Sequence, residues 1–159
     1  MPECFAPSVD SGCTKLILGS MPGVRSLERA QYYAHPQNAF WRIMAALFGA
    51  PYPFDSYDDK LNLLLSRHIA LWDVISTCAR DGSLDSDIRN AVPNDFERFF
   101  KQYPQIKTVF FNGQKAYNSF TKAFKTAPFV NALTLVPLPS TSPANAHLSF
   151  ADKLRAWSV

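Results

Sequence analysis

Cysteine, glycine, histidine and net charge are all scarce in this chain. Only Cys4, Cys13 and Cys78 occur among 159 residues. Their number is odd and they show no CxxC spacing, which excludes a disulfide framework or a Cys-ligated zinc or iron–sulfur site and fits a reducing compartment. His35, His68 and His147 are scattered without the short spacing of metal ligands, so neither a metal nor a cofactor is expected. No apolar run approaches the roughly 20 residues that span a bilayer, and the N-terminus, MPECFAPSVDSGC, has no basic segment followed by an apolar one. A soluble cytoplasmic monomer without membrane contact is the expectation. The net charge of +3 and pI near 8.8 are compatible with a phosphate-bearing partner but do not argue for one.

What is present is enough for one core, since 47% of the residues are hydrophobic and repeats are absent. Residues 1–14, rich in Pro, Ser and Cys, read as a surface arm, and residues 15–159 as a single domain. Short apolar runs at Lys15–Ser20, Ile69–Ile75, Lys107–Asn112 and Leu133–Leu138 read as buried strands. Between them, helical spacing predicts helices over Gln37–Phe48 (Phe40, Ile43, Met44, Leu47, Phe48) and Asp58–Arg67, the latter capped by Asp58 or Asp59. A third helix starts at a capping-box-like Asn94/Glu97 pair, a fourth carries Ala116, Tyr117, Phe120 and Phe124, and a last one starts at Ser149/Asp152. The polar stretch Ser76–Val92 reads as a surface excursion. Four strands alternating with helices imply a three-layer α/β/α fold around a four-stranded parallel sheet.

In such a fold, ligands bind at the carboxyl ends of the strands. The segments there are Ser20–Asn38, Asp73–Arg80, Asn112–Gln114 and Pro139–His147. The first is polar, with Arg25, Glu28, Arg29, His35, Gln37 and Asn38. The last is built of Ser, Thr, Pro and Asn, small groups that can either approach phosphates or form a rigid turn.

Three of these segments carry a resemblance. GSMPG at Gly19–Gly23, HPQNAFW at His35–Trp41 and LPSTSPANA at Leu138–Ala146 resemble the two signature motifs and intervening segment of the uracil-DNA glycosylase superfamily. The match is closest to its hypoxanthine-DNA glycosylase branch, and HPQNAFW is also similar to the mismatch-specific uracil/thymine glycosylases. The resemblance runs from about Leu16 to the final helix. It implies an enzyme that hydrolyses the N-glycosidic bond of deaminated bases in DNA, hypoxanthine or uracil, with DNA as its partner and the nucleoid as its place in a prokaryote.

Most branches orient the hydrolytic water with an Asp, Asn or Glu in the first motif, and Gly19-Ser20-Met21-Pro22-Gly23 offers none. The resemblance moves that role to Asn38, which as a residue is equally a helix cap. It also implies base contacts from Ser20, Met21 and Gly23, stacking by Phe40, and base reading by Asp73. Phe40 reads equally as core, and Asp73 as a helix cap or a partner of Arg80. Arg25, Ser140, Thr141, Ser142, Asn145 and His147 are the DNA-contact candidates, His147 reading equally as a surface histidine. No Lys is placed for a Schiff base, so hydrolysis without strand cleavage is expected. A uracil/thymine mismatch glycosylase, a DNA-binding module that has lost catalysis, and a nucleoside hydrolase stay open as alternatives.

Overall fold

Alternating side chains along the central strands feed two separate cores, one on each face of a sheet. On one face lie Leu16, Leu18, Ala70, Val109 and Phe111, and on the other Ile17, Ile69, Leu71 and Phe110. A strand's period of two makes this division obligatory once both faces are covered. The computed structural model describes residues 3–159; Met1 and Pro2, the first residues of the expected arm, lie outside the described residues.

The sheet is formed by β1 (Lys15–Gly19), β2 (Ile69–Asp73), β5 (Thr108–Asn112) and β6 (Thr134–Leu138), all parallel, in the order β2-β1-β5-β6. The helices α2 (Phe40–Phe48), α3 (Tyr57–Ser66) and α6 (Phe150–Ala156) cover one face. On the other lie α4 (Phe96–Gln102) and α5 (Gln114–Ala123), joined by a cluster of Phe96, Phe99, Phe100, Phe111 and Phe120. The chain runs from β1 to β2 on one side and then crosses back to β5 on the other, so strand order reverses between β1 and β5. The crevice at their carboxyl ends is where a ligand site forms in such sheets.

Several boundaries differ from the sequence reading. The run Ile69–Ile75 is two strands, because the chain turns at Val74: β2 ends at Asp73 and β3 (Ile75–Ala79) begins a separate antiparallel pair with β4 (Arg89–Pro93). The polar stretch Ser76–Val92 is therefore a hairpin. A helix, α1 (Val24–Arg29), lies inside the segment read as a loop. The cap of α3 is Ser56, accepting from the Asp59 N–H at 3.1 Å, and that of α4 is Asp95, accepting from Arg98. Asn94 instead is buried and donates to the Asp73 carbonyl at 2.8 Å. The capping box at Ser149 and Asp152 is formed. Residues of the arm pair with the edge of β2, where Ser8 and Leu71 exchange backbone hydrogen bonds at 2.9 Å.

Candidate active site

All four parallel strands end on one cleft of about 770 Å³. Gly19–Gly23 follow β1, Asp73 ends β2, Asn112 ends β5, and residues 137–145 with His147 follow β6. Asn38 and Tyr33 reach it from the segment before α2, and Ser83, Leu84 and Asp85 from the β3–β4 hairpin.

Asn38 is held at the head of α2. Its carboxamide oxygen accepts from the Phe40 N–H at 3.0 Å and from the Thr141 hydroxyl at 2.7 Å. Because both neighbours are donors there, the oxygen and nitrogen are assigned unambiguously. Ala39 occupies the formal cap position, without a side-chain bond. Asn38 thus serves the first helical N–H and stands in the cleft wall at the same time. Both lone-pair directions of its oxygen are occupied, so the edge it leaves to the cleft is the carboxamide nitrogen.

Thr141 is the centre of this arrangement and is fully buried. Its hydroxyl accepts from the Asn112 carboxamide nitrogen at 2.9 Å while donating to Asn38, its N–H donates to the Asn112 carboxamide oxygen at 2.9 Å, and its carbonyl accepts from the Ala39 N–H at 3.1 Å. With every polar atom engaged, Thr141 is a brace rather than a DNA contact. Ser140, Ser142 and Asn145 are tied within the same loop: the Ser142 N–H donates to Ser140 Oγ, and Asn145 donates to the Ser140 carbonyl. Underneath, α6 anchors the loop through Trp157 to the Pro139 carbonyl at 2.8 Å and Lys153 to the Ser142 carbonyl at 3.3 Å. A rigid turn and a surface of small polar groups are here the same structure. His147 is exposed on the cleft rim, and Arg25 is exposed on α1.

Phe40 does not line the cleft. It is fully buried, and Tyr33 lies flat over it with ring centroids 4.1 Å apart. The backbone of Tyr33 is left-handed, φ 54°, an uncommon conformation for an aromatic residue that is found most at functional sites. Its neighbours hold it there, since the Tyr32 carbonyl accepts from Trp41 Nε1 at 2.8 Å and the Tyr32 N–H donates to Tyr57 at 2.9 Å. Tyr33, missed in the sequence, is thus the aromatic wall, and its signal was an aromatic pair inside an otherwise polar segment.

Asp73 is 3% exposed and its Oδ2 is buried without a partner. It caps no helix and does not pair with Arg80, which instead donates to the Pro22 carbonyl and faces Asp85 at 3.9 Å. Burial first, then the Asp85 charge, push the Asp73 carboxyl up to about 7, with Arg80 opposing. The Tyr33 hydroxyl is also buried without a partner, and burial drives its acidity far below the ordinary, so it stays a donor. Gly19 leaves the room that both side chains use: a Cβ there would lie 2.6 Å from Asp73 Oδ1 and 2.8 Å from the Tyr33 oxygen. Ser20 donates to Asp85 at 2.6 Å and Ser83 accepts from the Val24 N–H at 2.8 Å, which fastens the hairpin over the first motif. Met21 and Gly23 line the cleft beside it. Among the described residues no cluster of His, Cys, Asp and Glu is placed to hold a metal ion, and no helix is long and apolar enough to cross a membrane.

Known proteins share this architecture. The chain is 38% identical over 112 residues to a hypoxanthine DNA glycosylase of Methanosarcina barkeri (strain Fusaro / DSM 804), covering 70% of this chain and 71% of that protein. It is 34% identical over 145 residues to a hypoxanthine DNA glycosylase of Methanosarcina acetivorans, covering 91% and 89%. A Methanosarcina acetivorans protein solved by NMR, which carries a provisional uracil DNA glycosylase name, superposes with a TM-score of 0.77 at 32% identity over 96% of this chain and 94% of that one. The model of the uracil DNA glycosylase superfamily matches residues 7–159, and the chain belongs to that superfamily.

Proposed function

We propose that the protein is a monofunctional DNA glycosylase that hydrolyses the N-glycosidic bond of deaminated bases in DNA, hypoxanthine foremost, as the first step of base-excision repair. The observation that carries this reading is the single cleft in which Asn38, braced by Thr141 and Asn112, faces the same space as the unpartnered groups of Asp73 and Tyr33. The names of the Methanosarcina relatives point to the same substrate.

A base must leave the stack to reach such a cleft, at a cost of a few kcal/mol that is smallest for mispaired bases. Tyr33 offers the flipped base a ring face, and Asp73 offers an acceptor to the ring N–H that hypoxanthine carries and adenine lacks. Cleavage develops an oxocarbenium-like sugar, so a positioned water is the remaining requirement. Asn38 orients that water: its N–H to the water oxygen leaves a second lone pair for C1′. A carboxamide is no base, so water attacks late, after the bond to the base has largely broken. Ser140, Ser142, Asn145, His147 and Arg25 flank the mouth and meet the DNA backbone.

Uracil presents the same pair of a ring N–H beside a carbonyl and is the runner-up substrate, alone or as a mismatch. The test is chromatography of the base released from duplexes carrying one hypoxanthine, uracil or xanthine. Free hypoxanthine with an intact strand supports the reading, uracil alone supports the runner-up, and a strand nicked without alkali or heat contradicts simple hydrolysis. Salt-sensitive binding with no base released supports an inactive binding module.

A further inference from the structure

The carboxyl group of Asp73 sits where an anion has little to support it. No described residue donates a hydrogen bond to either of its oxygens, and Asn94 binds only its backbone carbonyl. Arg80, whose charge reaches it, donates from Nη2 to the Pro22 carbonyl and faces Asp85 at 3.9 Å, while its buried Nε and Nη1 donate to no described residue, Asp73 included. A buried carboxyl without donors favours its neutral form, and burial with the Asp85 charge raises this one to about 7. The titratable and charged groups close enough for its charge to be felt are Tyr32 and Tyr33 from the segment before α2, Tyr57 from α3, Arg80 and Asp85 from the hairpin, and Cys4 from the arm. His35 and His147 stand on the wall of the same cleft.

We propose that Asp73 acts as a neutral acid that gives its proton to the departing base. This rests on the glycosylase reading and adds how the leaving group is stabilised. Oδ1, the oxygen left open beside Gly19, carries the proton and donates it toward O6 of hypoxanthine, its remaining lone pair turned to N1–H, while Oδ2 stays buried. As the C1′–N9 bond breaks, its electron pair passes into the purine and the Oδ1 proton moves to O6. Hypoxanthine leaves as a neutral hydroxy tautomer. Water adds to C1′ and sheds a proton to solvent, from which Asp73 recovers its own. A carboxylate in this place would oppose a leaving anion, whereas the neutral acid removes the charge as it forms.

The test is single-turnover release of hypoxanthine from a duplex between about pH 5 and 9, for the wild type and Asp73→Asn. Asparagine can still donate to O6 through its carboxamide nitrogen, so the substitution removes the transferable proton. The wild-type rate is expected to fall about tenfold per pH unit above about 7, and the variant to be at least about 100-fold slower at pH 6, without that limb. Asp73→Glu, which keeps an acid, should recover part of the rate and the limb. A pH-independent wild type, or an Asp73→Asn variant that keeps the wild-type limb or stays within about threefold of its rate at pH 6, overturns the proposal. An Asp73→Asn variant that unfolds no earlier than the wild type at about pH 5, where the folded Asp73 is still neutral, separates loss of proton transfer from loss of fold. No release of hypoxanthine by the wild type at any pH would overturn the glycosylase reading itself, and this inference with it.

Discussion

The hydroxyl of Thr141 donates to the carboxamide oxygen of Asn38 across 103 residues of chain, at 2.7 Å, joining the second signature motif to the segment before α2 through one part-buried hydrogen bond. Asn112 completes the joint by donating to the same hydroxyl. Thr141→Val keeps the shape and deletes the bond on both sides. It should cost about 1–3 kcal/mol in stability, from the polar groups it strands, and lower excision by about tenfold to a hundredfold as Asn38 loses its orientation. Chemical denaturation beside single-turnover excision checks both; wild-type excision from a destabilised variant would reduce Thr141 to a structural role.

Tyr33 and Phe40 lie face to face, yet they should fail differently. Phe40 is wholly buried, so Phe40→Ala should destabilise by about 3–5 kcal/mol. Tyr33→Ala should leave the fold largely intact and weaken engagement of the flipped base by about 1–3 kcal/mol, the usual worth of an aromatic under a base. Binding of a duplex with an abasic site should then change little, while binding and excision at hypoxanthine fall.

Gly19 is required for the space it leaves. Gly19→Ala would place a methyl 2.6 Å from Asp73 Oδ1 and 2.8 Å from the Tyr33 oxygen. Both side chains would have to shift, at a cost of about 1–3 kcal/mol. Excision should drop even at temperatures where the variant is fully folded, which a thermal melt run beside the assay establishes.

Asp73 should also make stability depend on pH. Its carboxyl is raised in the folded state to about 7 from an ordinary value of 3.8. The folded protein therefore holds this proton where the unfolded chain has lost it, and stability falls as pH rises from about 4 through 7. Asp73→Asn should remove that slope and be more stable than the wild type at about pH 8, on the order of 4 kcal/mol. Denaturant titrations at about pH 5 and 8 measure the difference.

Strand and helix periodicity made the parallel sheet legible, because buried strands such as Leu16-Ile17-Leu18 and Val109-Phe110-Phe111 are apolar on both faces. The break at Val74 was not legible. Ile69–Ile75 is continuous in hydrophobicity, and only the backbone turn that pairs Ile75 with Pro93 divides it. The motif residues Asn38, Ser20, Met21 and Gly23, with Asp73 at the end of β2, all line the cleft. Side-chain direction was the part that sequence order could not give. Phe40 and Tyr33 both read as aromatics near the same motif, and tertiary packing decides which is buried and which forms the wall. Asn112 read as the end of a strand, and its bond to Thr141 is a contact between segments 29 residues apart.

The most direct test of the account is excision on a labelled duplex carrying a single hypoxanthine, with alkali added to reveal abasic sites, for the wild type and Asn38→Ala. The account predicts alkali-dependent cleavage by the wild type, and a loss of about 100-fold or more in the variant with duplex binding retained. Undiminished excision by Asn38→Ala would contradict the role given to Asn38, and no cleavage by the wild type at hypoxanthine would contradict the function itself.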